Sequence, residues 1–308
     1  MKKILSPLLL FCFIFTGCSL KNTLVHADTI KHQKIKILDE KSLFPTQTTE
    51  FPFAEISDLS YNPKNHKLYM IGDKGYLYTT KVQLSNTIGT IEYLKAVKVK
   101  EKKYHKYYDI EGLTQNAKKE LVLSFERQPR IANITTNGLI GRNYPLPKKL
   151  RKKKNFINGN KIFEALAWHP QHGLLTVAEY PLKKQKRDIQ TVYSLKGKEW
   201  HFRTEAYPNS AVTAIEVMDD KHILILERAF TKINAPMYIT LKKLSLDKCN
   251  KEKFCQTEIL ASFQGIIGFG VQNFEGLTKV SKNRYLMVSD NNNKSILPTK
   301  LIYFEVLP

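Results

Sequence analysis

The chain has 308 residues and carries 49 Lys and Arg against 28 Asp and Glu, a formal charge of +21. That length is ample for a large core and could accommodate two domains. Such a charge would suggest nucleic acid in a cytosolic protein, but no helix-turn-helix, finger or aromatic RNA-binding pattern accompanies it, so nucleic acid is not expected as a partner.

Lys2-Lys3 followed by the apolar stretch Ile4 to Phe15 reads as the start of a signal peptide, and it ends in Phe15-Thr16-Gly17-Cys18, which resembles a bacterial lipoprotein processing box. The alternative is an uncleaved anchor helix, although about a dozen apolar residues fall short of the ~20 that span a bilayer. Residues 1–17 are expected to be removed, Cys18 to be lipidated, 18–29 to form a tether, and 30–308 to form one domain. Ser19 carries no retention signal, which favours the outer membrane, so a periplasm-facing location in the cell envelope is expected. The membrane is then a partner through the N-terminal lipid alone, since no later apolar stretch approaches spanning length.

Five apolar runs each climb to a carboxylate: Tyr69 to Asp73, Leu121 to Glu126, Leu174 to Glu179, Ile223 to Glu227 and Leu286 to Asp290. Successive terminal acids are 53, 53, 48 and 63 residues apart, a period that signals one supersecondary unit per repeat. A second acid stands fifteen positions ahead of three of them, in Glu111-Gly112-Leu113, Glu164-Ala165-Leu166 and Glu275-Gly276-Leu277. Ser57-Asp58-Leu59 and Thr213-Ala214-Ile215 are the degenerate copies.

Within one repeat, Ile110 to Thr114, the polar turn Gln115 to Lys119 and the run into Glu126 form a hairpin. Arg130 to Ile134, the turn Asn137-Gly138 and Leu139 to Tyr144 supply two more strands. Four short antiparallel strands in about fifty residues make a propeller blade. The fold class expected is therefore all-β, a propeller of four-stranded blades. Five blades are visible; a sixth, degenerate one inside the 63-residue interval remains open. Lys34 to Leu38 and Leu301 to Val306 are expected to share the last blade, closing the ring and hiding a sheet edge. A monomer is expected.

Two lysine-rich runs, Lys148-Lys149-Leu150-Arg151-Lys152-Lys153-Lys154 and Lys183-Lys184-Gln185-Lys186-Arg187, fall between strands and are expected to be loops. They form either a solvated surface or one that attracts anionic lipid headgroups or a phosphorylated substrate. Cys249 and Cys255, the only cysteines left after processing at Cys18, are expected to pair in an oxidising compartment, with two free thiols as the alternative.

A ring of blades would gather Asp73, Glu126, Glu179, Glu227 and Asp290 at one mouth of the channel, with Glu111, Glu164 and Glu275 as a partial second tier. Like charges so close raise one another's pKa, which favours a hard cation held by oxygen ligands, Ca2+ above all. The alternative is structural: each acid accepts backbone N–H bonds from a neighbouring turn.

The ordered set Ile56 to Ser60 with Gly72 to Gly75, Asp109 to Leu113 with Ser124 to Arg130, Glu164 to Ala167, Leu226 to Arg228, and Phe274 to Leu277 with Val288 to Asn292 resembles the phytase-like family described as having esterase-like activity. The resemblance spans about Glu55 to Asn292. It implies an exported β-propeller shaped like the calcium-dependent phytases, with an ester-hydrolase activity. The full calcium and phosphate ligand set of the propeller phytases does not map onto this chain, which puts phytate itself in doubt.

As an enzyme acting on ester bonds, phosphoric or carboxylic, the chain would use metal-assisted hydrolysis, with Glu126, Glu275 and Asp290 as catalytic carboxylates. Arg127, Arg228 and Lys74, which directly follow ring acids, would grip an anionic or phosphorylated small molecule, or instead pair with those acids. Serine catalysis is weaker: there is no Gly-x-Ser-x-Gly elbow, and neither Ser124 nor Ser289 has an assignable histidine. The competing class is a non-enzymatic propeller that binds a protein, glycan or phosphorylated ligand at the envelope.

Overall fold

The computed structural model describes residues 28–43, 53–101, 109–159, 161–232, 235–266, 271–292 and 298–308. The expected signal peptide, Cys18 and nearly all of the tether lie outside the described residues. The described chain opens with β1 (Asp28–Gln33) and β2 (Ile35–Leu43). Five antiparallel blades follow. Blade 1 is β3 (Ile56–Asn62), β4 (Lys67–Gly72), β5 (Tyr76–Leu84) and β6 (Ile88–Lys98). Blade 2 is β7 (Ile110–Gln115), β8 (Leu121–Phe125), β9 (Arg130–Ile134) and β10 (Ile140–Asn143). Blade 3 is β11 (Ala165–His169), β12 (Gly173–Val177), β13 (Ile189–Ser194) and β14 (Glu199–Arg203). Blade 4 is β15 (Ser210–Val217), β16 (His222–Ala229), β17 (Met237–Cys249) and β18 (Cys255–Gly265), and β1 adds a fifth strand outside β18. Blade 5 is β19 (Asn273–Lys279), β20 (Arg284–Asp290) and β21 (Thr299–Val306), completed by β2. Among the described residues, helix is confined to two 3-10 turns, Lys148–Leu150 and Lys153–Asn155.

Short polar side chains fold the innermost hairpins. Asn62, Asn116 and Asp219 each accept a hydrogen bond from the backbone N–H two residues on, which closes the turn locally. The second strands are buried on both faces, which is why they read as unbroken apolar runs instead of alternating ones. In β8, Leu121 and Leu123 pack toward blade 1 while Val122 packs toward blade 3. In β16, Ile223 and Ile225 face blade 3 while Leu224 and Leu226 face blade 5. The core is thus five apolar wedges, one between each pair of neighbouring blades.

The ring is closed twice over. The first strands β3, β7, β11, β15 and β19 each touch the next around the axis, and β19 touches β3 again. At the periphery β2 pairs with β21, Ile35 opposite Val306, so the chain's start completes its last blade. The 63-residue interval holds no sixth blade among the described residues; it is taken up by the long β17–β18 hairpin and the connection to β19. Cys249 and Cys255 face each other near the hairpin tip in a disulfide, and the tip docks on blade 3 through the His201 N–H to Lys253 O bond at 2.8 Å.

Candidate functional site

Two of the candidate acids, Glu111 and Glu275, are aimed by a repeated irregularity in the innermost strand. In β3, β15 and β19 the pairing with the second strand slips by one residue, at Ser57, Thr213 and Glu275, and in β7 it slips across Glu111-Gly112. A bulge of this kind turns one side chain off the sheet face. After the bulged Glu111 and Glu275 the next residue must be small because the next inner strand passes close by. A Cβ on Gly276 would sit 2.8 Å from Asp58 Cα, and one on Gly112 would sit 2.8 Å from Leu166 Cβ. The two Glu-Gly-Leu triplets therefore encode both the bulged acid and the tight hub, whereas β11, which follows Glu164, pairs with β12 without a register shift.

At this end of the channel a cavity of about 400 Å3 is lined by Asp73, Glu111, Glu126, Glu164, Glu275 and Asp290, together with Glu55, Ser57, Asp109, Asn158, Lys161 and Arg228. Asp109, Glu111 and Glu126 offer oxygens that all lie within 4.8 Å of one another, and so do Glu126, Glu164 and Glu179. Glu126 belongs to both groups.

Enclosure and mutual repulsion leave these carboxyls reluctant to ionise. Burial, and then the neighbouring Asp109 and Glu179, push Glu126 up to about 8 against the opposing Lys161. Burial and Glu275 bring Asp290 to about 8, and burial and Glu55 bring Asp73 to about 6. Glu111 and Glu164 are also held well above the usual carboxylate range, by burial and then by each other's side of the ring: Glu164 and Glu275 for the first, Glu179 and Glu275 for the second. Burial raises Glu275 as well, though Arg228 opposes it.

The remaining candidates are placed differently. Glu227 does not line the cavity: it is buried, ion-paired with Lys242 at 2.9 Å and bonded by the Glu205 N–H at 2.9 Å, as the structural alternative for a ring acid requires. Glu179 is 2% exposed at its side chain and is gripped by Lys161 and by Arg228, the latter at 3.5 Å. Arg228 lines the cavity and also pairs with Glu275. Lys74 and Arg127 stand outside the cavity on its exposed rim, paired with Glu55 and, at 2.6 Å, with Asp109. Ser124 and Ser289 are fully buried. The Ser124 Oγ accepts the Gly112 N–H at 2.9 Å and the Ser289 Oγ accepts the Lys300 N–H at 2.8 Å, so both hydroxyls serve the packing between strands.

Glu55, Asp109, Lys161 and Asn273 escaped the sequence reading. Three of them had a signal: Glu55, Asp109 and Asn273 each sit two residues before a bulged position, so strand alternation puts them on the same side as Ser57, Glu111 and Glu275. Asn273 Nδ2 donates to Glu275 Oε1 at 2.8 Å and to Asp290 Oδ2 at 3.3 Å, tying the two tiers together. Lys161 comes from the long loop ahead of β11 and carries no local pattern.

Among known structures, the chain is similar to selenomethionine-substituted virginiamycin B lyase from Staphylococcus aureus (11% identity, 89% of this chain and 100% of that one, TM-score 0.38). It is similar also to U3-55K (8% identity, 87% and 98%, TM-score 0.45) and to the PQQ-bound aldose sugar dehydrogenase of Streptomyces coelicolor (8% identity, 88% and 97%, TM-score 0.39). Such distant likenesses carry no functional argument. No curated protein sequence matches the chain. The family model for phytase-like proteins, described as esterase-like activity of phytase, matches residues 51–293, a span that contains all five blade hubs and every residue lining the acidic cavity, and the chain belongs to that family.

Proposed function

We propose that this is an exported, lipid-anchored, calcium-dependent hydrolase of phosphate or acyl esters, working at the acidic mouth of the propeller. The observation that carries this is the pair of carboxylate triads sharing Glu126, each with oxygens within 4.8 Å. Among the described residues eight carboxyls line the cavity against two cations, and hard oxygen donors at this density suit calcium. Asp73 Oδ1, which is buried and has no hydrogen-bond partner among the described residues, adds a further donor facing the same cavity.

Glu111, Glu126, Glu164 and Glu179 would hold the ion, with Asp73 and Asp109 at the rim. When bound, the ion supplies Lewis-acid polarisation of a phosphoryl or acyl oxygen. The chain's own groups do the rest. Glu126, the carboxylate common to both triads, would hold the ion in its ionised form, so its part is to position the ion against the ester. Glu275 is oriented by Arg228 and Asn273, and Asp290 by Asn273 and the Asn292 N–H at 2.7 Å, as positioned bases require. Lys161 and Arg228 are the cations inside the cavity that can meet an anionic group, while Lys74 and Arg127 can reach it from the rim by exchanging partners.

One observation favours the second class, a calcium-stiffened binding module: Lys74, Arg127, Lys161 and Arg228 are all ion-paired within the protein. Hydrolysis of a chromogenic phosphate ester and a chromogenic acyl ester, with calcium and with chelator, separates the two. Calcium-dependent turnover lost in Glu126→Gln and Glu275→Gln supports the hydrolase. Calcium-dependent thermal stability without turnover of either ester supports the module and removes the hydrolase.

A further inference from the structure

The two lysine-rich loops are one surface. The Lys183 N–H donates to Asn155 O at 2.9 Å and Phe156 bridges to Leu182, so the loop ahead of β11 and the loop between β12 and β13 lie side by side. Lys153, Lys154, Lys183, Lys184, Lys186 and Arg187 are all exposed, and among the described residues none is paired with a carboxylate. The acids nearest to hand are engaged elsewhere, Asp188 with Arg203 and Glu199 with Lys149 at 2.7 Å.

Both loops lie at the acidic end of the channel, because one runs into Glu164 and the other leaves β12 beside Glu179. The Arg187 guanidinium stacks 3.7 Å from the Tyr180 ring centroid, and Lys161 Nζ, which lines the cavity, lies 5.4 Å from the same ring. The basic surface therefore reaches the cavity rim, where Lys74 and Arg127 also project. Two large apolar side chains are exposed at this end, Ile157 at 41% within the basic loop and Ile266 at 44% just past β18. The N-terminal segment arrives here too: Asp28, the first described residue, pairs with Gln264 near the same end of β18.

We propose that this face docks on an anionic phospholipid surface, with the mouth of the channel turned toward the bilayer. Unpaired lysines on flexible stems next to exposed isoleucines make an interfacial surface, each lysine adding electrostatic attraction and each apolar side chain insertion. The ten residues from Cys18 to Asp28 span at most ~35 Å when extended, so a lipid on Cys18 would hold this face within reach of the membrane. The docking needs neither hydrolysis nor calcium.

The test is co-sedimentation of the chain from Ser19 onward, which keeps every described strand and carries no lipid, with phosphatidylglycerol-rich or pure phosphatidylcholine vesicles in the presence of chelator. Binding to the anionic vesicles alone, weakened by salt, is expected. Lys183→Glu/Lys184→Glu/Lys186→Glu should weaken it by about fivefold per lysine, on the order of a hundredfold in total. Lys64→Glu/Lys118→Glu/Lys282→Glu, the same change of charge at turns of the opposite end, should leave it within about twofold, since those turns face away from the bilayer. Ile157→Ser should weaken binding without altering its salt dependence. Matching thermal melts establish that the variants are folded. Equal loss in both triple variants, equal binding to neutral vesicles, or retention on inorganic polyphosphate without binding to vesicles would each overturn the proposal.

Discussion

Asp58 is the place where the ring of blades is most exposed to a single change. It occupies the hub, 4% exposed, and its carboxylate joins three inner strands: Oδ1 accepts the N–H groups of Leu59 at 2.8 Å and Leu277 at 3.2 Å, and Oδ2 accepts that of Leu113 at 2.7 Å. Blades 5, 1 and 2 are thereby tied at one point. Burial pushes this carboxyl well above its ordinary range, while the three donors pull the other way. Asp58→Ala strands three buried donors at roughly 1–3 kcal/mol each, so a loss of at least about 3 kcal/mol is expected, a large share of the ~5–15 kcal/mol that holds a typical domain. Asp58→Asn keeps one oxygen and sets an amide NH2 against a backbone N–H, for a loss of about 1–2 kcal/mol. Urea unfolding followed by circular dichroism and tryptophan fluorescence reads both, with Glu252→Ala as an exposed control. A loss below about 1 kcal/mol for Asp58→Ala would refute the claim that this residue ties the hub.

Gly276→Ala should cost about 1–3 kcal/mol by overpacking, because the added methyl would meet Asp58 Cα at 2.8 Å and Val288 Cγ1 at 2.7 Å; an unchanged denaturation midpoint would contradict the tight-hub argument. The metal-free protein should lose stability as pH rises. Carboxyls raised in the folded state favour their protonated form, so their contribution is complete below the unfolded values, about 3.9 for Asp and about 4.3 for Glu, and is lost as pH climbs through about 6 for Asp73 and about 8 for Glu126 and Asp290. Melting temperatures in chelator should therefore fall from pH 5 to pH 8 and be restored by calcium; a rising chelator curve would count against the acidic cluster. Reducing the Cys249–Cys255 bond, which closes a separation of 6 residues, should lower stability by about 2 kcal/mol, seen as a shift in urea midpoint that Cys249→Ser/Cys255→Ser reproduces.

Most of the architecture was legible because propeller blades are periodic. The apolar runs into Asp73, Glu126, Glu179, Glu227 and Asp290 are the doubly buried second strands, and the clasp of Ile35 on Val306 follows from two apolar strands at the chain's ends. The number of blades was settled by Met237 to Gly265, whose length reads as room for another blade but is spent on one long hairpin. Within the site, equivalence in sequence did not ensure equivalence in role. Glu227 occupies a ring position, yet Lys242, from a third strand with no periodic signature, takes it out of the cavity. Ser57 and Thr213 replace the glutamate at two bulges, so the inner tier is acidic on three blades only. Glu55 and Asp109 were legible in principle from alternation, whereas Lys161, on an irregular loop, becomes visible only in three dimensions.

The central claim is that carboxylates from several blades form one oxygen-rich site, and isothermal titration with calcium tests it most directly. Wild-type protein should bind calcium, Glu126→Gln should weaken that binding by at least about tenfold because it removes the carboxylate shared by both triads, and Glu252→Gln should bind as wild type. Absence of calcium binding by the wild-type protein, or identical titrations for wild type and Glu126→Gln, would contradict the account.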